Sequence, residues 1–311
     1  MRRRVLGTTG LSITEVCIGT SPLGSMPGAY GYEADESAAF QAVREVFDST
    51  VNFLDTSNEY SDGESERRIG HVIRERGGLP DGFVLATKVD PRRGASTLPG
   101  ERVRESFAES TERLGVDYIP LLYLHDPVRF PVEEMTRPGG AIDVMLELKE
   151  AGLVGHIGVA DGDLHCLRQL VDTGSFDVVL NHNLYTLIDR TADSFIDYAV
   201  ANGLAFVNAA PFGGGILVKG PEEQPRYAYR KADEPALARV RAMQEVCHAH
   251  GVDLATAALQ FSTRDQRVSS TVVGISQPGR VAALVQRVEA PVPDELWADL
   301  DAIHEEGGAA R

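Results

Sequence analysis

Long apolar runs, clustered cysteines and an excess of basic charge are all missing from this chain of 311 residues. No stretch approaches the roughly 20 apolar residues that cross a bilayer, so no membrane partner is expected. The opening MRRRVLGTTGLS has basic residues but no sustained apolar segment behind them. It does not read as a secretory signal, and a cytoplasmic location is the expectation. The three cysteines, Cys17, Cys166 and Cys247, stand far apart and form no metal-spaced cluster. They read as buried thiols, and no metal site is expected. Acidic residues number 46 against 30 basic ones, for a formal net charge of −16. A nucleic-acid backbone needs basic surface, so that class of partner is set aside. The balance leaves a small substrate open. A GxGxxG dinucleotide fingerprint is also absent, since IGTSPLGS is not that motif. Nor is there a Pro-, Gly- and Ser-rich linker to divide the chain. Hydrophobic content of 43% is ordinary for a globular protein.

What is present is alternation. Short apolar runs occur at ITEVCIGT, VNFLDTS, FVLATKV, YIPLLYLHD, GHIGVAD, FDVVLNHN, LAFVNAAP and SSTVVGIS. Helical spacing lies between or after them, near 35–48, 64–76, 100–114, 140–151, 163–173, 190–202, 234–249 and 278–288. Continuous apolar strands suit a parallel sheet covered on both faces. Eight such units in this length predict an α/β fold, a single (β/α)8 TIM barrel over residues 1–311. A short N-terminal segment precedes it and an extra C-terminal helix, near 293–306, follows. Residues 20–34 and 213–235 read as long loops. LATAALQFSTR reads as a further helix before the last strand.

Asp55, Tyr60, Lys88 and His125 sit at or just beyond the ends of three consecutive strand candidates. Each alone has an ordinary explanation: a helix cap, a packed ring, a barrel-mouth ion pair or a turn. Together they read as an active site at one mouth of the barrel. A phenol near its usual pKa of about 10 is a poor acid at neutrality, and a nearby ammonium favours its phenolate. Lys88 can do this while Asp55 holds the lysine in place. His125 can bond a substrate carbonyl or share the tyrosine's proton. The set polarises a carbonyl, or takes a proton from an alcohol in reverse. Two electrons must then travel separately, and a nicotinamide cofactor is the natural complement.

These residues carry a resemblance. FLDTSNEYSDGESERRIG, VLATKV and LLYLHD resemble the aldo-keto reductase family, NAD(P)-dependent oxidoreductases on a (β/α)8 barrel. The similarity extends through RRVLGTTGLSITEVCIGTSPLG, LKEAGLVGHIGVA and VVGISQPGRV, almost the whole chain. It implies Asp55, Tyr60, Lys88 and His125 as the catalytic quartet, with Tyr60 as the acid–base group. It implies cofactor contacts at Gly19, Asp55, Ala160, Asp161, Asn181, Asn183, Phe212, Gly213, Gly215, Leu217, Gly274, Ser276 and Arg280. Some of these depart from the family pattern. Ala160 and Asp161 stand where a Ser-Asn pair usually meets the carboxamide, and Asn181 or Asn183 where a glutamine does. Ala209 takes the place of a stacking tyrosine, with Phe212 available to cover another part of the pocket. FGGGILVKG offers backbone N–H groups for a pyrophosphate. Gly274 replaces the lysine common in NADP-preferring members, which favours NAD and leaves NADP open.

DVVLNHNLYTLIDR and VNAAPFGGGIL resemble a branch of sugar 1-dehydrogenases acting on L-fucose (D-threo-aldoses), D-arabinose or L-galactose, with a related pyridoxal 4-dehydrogenase. The implied reaction oxidises the anomeric hydroxyl of a cyclic aldose to the lactone. The substrate would meet Tyr30, Tyr60, His125 and Tyr185, with Tyr32 a second wall tyrosine. Asn58, Glu59, Asn181, His182 or Asn183 could take its hydroxyls. Pyridoxal, which also forms an internal hemiacetal, is the first alternative. An NADPH-dependent aldehyde or ketone reductase is the second, and a cofactor-binding regulatory subunit without turnover the third. Oligomeric state is not readable from these features.

Overall fold

The structure is a computed structural model that describes residues 1–228 and 230–308. The chain opens with an antiparallel hairpin, β1 (Arg3–Val5) on β2 (Ser12–Thr14). Eight parallel strands then build the barrel. They are β3 (Val16–Gly19), β4 (Phe53–Asp55), β5 (Val84–Val89), β6 (Ile119–His125), β7 (Val154–Asp161), β8 (Val178–His182), β9 (Ala205–Ala209) and, after a small hairpin of β10 (Arg226–Tyr227) and β11 (Arg230–Lys231), β12 (Val268–Gly274). β12 pairs with both β9 and β3, so the barrel closes. The predicted first strand, ITEVCIGT, is divided at Glu15. Its first part joins the hairpin and only Val16–Gly19 enters the barrel. Glu15 is buried there and paired with Arg2.

Packing forms two layers. The outer one lies between strands and helices, and its members recur at helical spacing. Ile69, Val72 and Ile73 of the helix Glu64–Arg76 are an example. The inner one fills the barrel with Leu6, Ile13, Phe53, Leu121, Tyr123 and Val207 among others. Alternate residues of each strand face these two layers, which is why the strands read as unbroken apolar runs. Aspartates cap four of the helices. Asp35, Asp163, Asp233 and Asp253 each accept from the main-chain N–H three residues on. All three cysteines are buried and free.

Parallel register brings the functional ends level. Asp55 pairs with Ala86, Lys88 with Tyr123, His125 with Ala160 and Asp161 with Asn181. The long segment after β9 is more ordered than a loop. It holds a glycine turn at 213–215, a short helix Ile216–Lys219 and the β10–β11 hairpin. Among the described residues no helix is long and apolar enough to cross a membrane.

Candidate functional site

Asp55 ends β4 and Lys88 lies near the end of β5, so both side chains rise into the carboxyl mouth of the barrel. Lys88 is only 1% exposed. Its Nζ donates to Asp55 Oδ1 at 2.5 Å, to the Thr56 carbonyl at 2.6 Å and to the Tyr60 hydroxyl oxygen at 3.0 Å. A buried ammonium requires this full set of acceptors. Burial pushes the Asp55 carboxyl up, against the pull of Lys88. Its Oδ2 has no partner.

Tyr60 stands on the turn that follows β4. Ser61, Asp62 and Gly63 are all left-handed there. Asn58 anchors the turn: its Nδ2 donates to the Ser106 carbonyl and to Glu109, and its Oδ1 accepts from Arg102. Asn58 is therefore committed to the helix Gly100–Leu114 and is not offered to a substrate, as the sequence had allowed. The Tyr60 ring meets the edge of the His125 ring, centroids 5.7 Å apart.

His125 ends β6, and its Nδ1 lies 2.6 Å from Asp90 Oδ1 and 3.1 Å from Ser57 Oγ. The Ser57 hydroxyl donates to Asp90 Oδ2, which also accepts the Glu59 N–H at 3.0 Å. Burial opposes a charge on His125, but Asp90, with Asp126 behind it, carries its pKa above the usual histidine value. Burial likewise opposes the Asp90 carboxylate. His125, Ser57 and the Glu59 amide outweigh it and hold Asp90 below the usual range. Sequence reading missed Asp90 and Ser57. The available signal was spacing: each lies two residues after a quartet member, Lys88 and Asp55, and period two returns a side chain to the same face.

The quartet lies on the wall of a cavity of about 630 Å³ at this mouth. Of the residues the resemblance implies as cofactor contacts, Gly19, Ala160, Asn183, Phe212, Gly215 and Gly274 reach the same wall. So does Tyr32, whose hydroxyl lies 2.8 Å from Ser276 Oγ and links the loops after β3 and β12. His182 also lines it. Burial pushes its pKa down, and its Nδ1 lies 2.9 Å from Asn183 Nδ2.

The cavity suits a dinucleotide on this chain's own features. At one end is the quartet. At the other, Gly214 and Gly215 have φ of 77° and 105°, values that favour glycine. Gln224 donates to the Gly214 carbonyl at 3.0 Å and holds that turn. Lys219 and Arg226 line the wall beside it, cations fitted to phosphate oxygens. Neither had been singled out in the sequence, although both are basic residues flanking the glycine run. Asn183 contributes an amide oxygen, Oδ1, with no partner.

Other expected contacts are not brought to the wall. Tyr185 is turned away: its hydroxyl donates to Asp265 at 2.5 Å and its ring packs on Phe261. It serves the packing of β12's approach rather than the mouth. Asp161 accepts from the Val128 and Asp163 amides, one with each oxygen. Asn181 is fully buried and donates to the Asp161 carbonyl. Leu217 belongs to the outer core. A Cβ at Gly213 would overlap the Tyr227 ring, so this glycine answers to packing. Ser276 is held behind Tyr32, and Arg280 opens the helix Arg280–Glu289 on the exposed surface. The side chain of Tyr30 lies outside the described residues.

Comparison with known proteins identifies the family. Residues 15–305 match the aldo/keto reductase family. A pyridoxal 4-dehydrogenase of Microbacterium luteolum is 30% identical, with 96% of each chain covered. An L-galactose dehydrogenase of Arabidopsis thaliana is 29% identical, covering 97% of this chain and 94% of the relative. A D-threo-aldose 1-dehydrogenase of a Pseudomonas species is 28% identical over 94% of both. Among solved structures, the holo form of a Bacillus halodurans aldo-keto reductase superposes with a TM-score of 0.80 at 24% identity. It covers 97% of this chain and 96% of that one, and it shows the shared fold. The chain belongs to the aldo/keto reductase family and is an NAD(P)-dependent oxidoreductase on a (β/α)8 barrel.

Proposed function

We propose that this aldo/keto reductase oxidises the anomeric hydroxyl of a cyclic aldose to the lactone, with Tyr60 as general base. One observation carries the reading. The Tyr60 oxygen lies 3.0 Å from a fully buried lysine, on the wall of a cavity that His125 also lines. Lys88 stabilises the phenolate, which takes the hydroxyl proton. His125 holds the same substrate oxygen. Asp55 fixes the lysine by its 2.5 Å contact. The nicotinamide, when bound, supplies the two-electron acceptor for the hydrogen that leaves C1. Lys219, Arg226 and the Gly214–Gly215 turn would hold its phosphates, and Asn183 would meet its amide.

L-Fucose, D-arabinose and L-galactose are the sugars of choice, in keeping with two of the relatives above. Pyridoxal is the second reading, and the 30% identity to a pyridoxal 4-dehydrogenase favours it. We favour NAD over NADP because Gly274 puts no cation on the cavity wall.

The test is the initial rate of cofactor reduction, with NAD and NADP separately, on the three sugars and on pyridoxal. Oxidation of a sugar by the wild type, lost in Tyr60→Phe, is the expected result. A preference for pyridoxal keeps the mechanism and replaces the substrate. Turnover only in aldehyde reduction with NADPH, or tight cofactor binding with no turnover at all, overturns the proposal.

A further inference from the structure

Asp90 is tied down at every polar atom. Its N–H donates to Ser106 Oγ at 3.1 Å and its carbonyl accepts from Arg102 Nε at 2.9 Å. One carboxylate oxygen takes the Ser57 hydroxyl and the Glu59 amide, and the other faces His125 Nδ1. With Asp90 as a carboxylate, which these donors favour, one arrangement of protons is left. The Ser57 hydroxyl gives its hydrogen to Asp90, so toward the imidazole it is an acceptor. Nδ1 therefore faces two acceptors, at 2.6 and 3.1 Å, and must carry a proton. A neutral ring with Nδ1–H has a bare Nε2, which can only accept. Nε2 donates only if the ring is an imidazolium.

We propose that Asp90 is a positioning residue that locks His125 by Nδ1–H, so that His125 meets the substrate oxygen as an imidazolium donating from Nε2. This rests on the oxidation proposed above only for the identity of that oxygen. Asp90 thereby sets the charge of the site as well as the angle of the ring. Two cations, Lys88 and His125, then flank Tyr60, and both favour its phenolate.

The groups facing His125 divide by sign. Asp90 and Asp126 favour the imidazolium, with Asp55 and Glu59 acting in the same sense from β4 and its loop. Lys88 opposes it, and His182 of β8, whose own pKa burial pushes down, stands beside it. Tyr60 touches the ring edge. Asp90 is the acid that also bonds the ring, which makes it the one whose removal is informative.

Nitrogen-15 NMR of histidine-labelled protein reads the ring directly and needs no substrate. The His125 signals are identified by their loss in His125→Gln. Two protonated ring nitrogens are expected at neutral pH in the wild type. Asp90→Asn should lower the His125 titration by about 1 to 3 pH units, while Asp90→Glu keeps it near the wild-type position. A bare ring nitrogen on wild-type His125 at neutral pH overturns the proposal. So does an unmoved titration in Asp90→Asn, provided its Tm shows a folded protein. If oxidation is found, the alkaline limb of kcat/KM moves to lower pH in Asp90→Asn by the same interval. Failure of the sugar reading leaves the NMR result intact, so the two can fail separately.

Discussion

At the amino end of the barrel the β1–β2 hairpin drives Leu6 and Ile13 into the interior, where neither has any exposed surface. Arg4 crosses to the last strand and donates to the carbonyls of Thr263, Asp265 and Val268. Asn52 accepts from Thr14 N–H and donates to the Ser12 and Gly82 carbonyls. At the carboxyl end the same strands finish on Asp55, Lys88 and His125. Asp55 Oδ2, Asn181 Oδ1 and Asn183 Oδ1 lack partners there. The left-handed non-glycine residues Ser25, Ser61, Asp62, Asp126, Asn183, Ala210 and Ala228 all lie in loops that leave this end. A non-glycine residue pays about 1–2 kcal/mol for such a conformation. One end is thus built for stability. The other gives up stability to hold polar groups in a cavity.

The sharpest test of this division is a pair of variants. Tyr60→Phe removes the proposed acid–base group and should lower kcat/KM by about 100- to 10,000-fold, with Tm unchanged. Ile13→Ala should do the reverse. A buried truncation of this kind costs about 2–5 kcal/mol of stability, read by denaturant unfolding, while kcat of the folded enzyme holds. A large loss of kcat in Ile13→Ala would break the comparison.

Arg4→Ala comes next. It leaves three carbonyls short of a donor, and unpaired buried groups cost about 1–3 kcal/mol. Its effect should again appear in unfolding and not in turnover.

The mouth makes its own pH-dependent contribution to stability. The folded-state pKa of His125 is raised, so its stabilisation is complete below the unfolded value of about 6.5 and is lost as pH rises through the folded value. The gap in Tm between wild type and His125→Gln should therefore narrow as pH rises. Asp90 acts with the opposite sign. Its stabilisation is present above the unfolded value of about 3.9 and is lost as pH falls through the lower folded value.

Ala210→Gly should show the smallest effect. It relieves the positive φ of 57° at the cavity wall, and the gain, after glycine's greater unfolded-state entropy, is under about 1 kcal/mol. A drop in stability would mean the Ala210 methyl group contributes packing that outweighs its strain.

The sequence was most legible where one residue type has one physical use. Apolar runs with helical spacing between them foretold eight strands, because a parallel barrel buries both strand faces. Asp55, Tyr60, Lys88 and His125 were visible because polar residues at successive strand ends must face a common mouth. The split of ITEVCIGT was not visible, since Val16 and Ile13 are equally apolar and differ only in partner. Tyr185 was misplaced for a related reason. A tyrosine after a strand can turn to the mouth or into the packing, and here Asp265, 80 residues away, decides it.

By itself, then, the sequence determined the repeating architecture and the end of the barrel at which Asp55, Tyr60, Lys88 and His125 meet, because these follow from periodicity and from the direction of a strand. Tertiary structure decided the partners. It brought Asp90 and Ser57 to one nitrogen of His125, tied Asn58 to a helix, and set Lys219 and Arg226 beside the glycine turn. Hydrogen bonds act over about 3 Å, and which groups come that close across distant segments is a property of the closed barrel, not of any local run of residues.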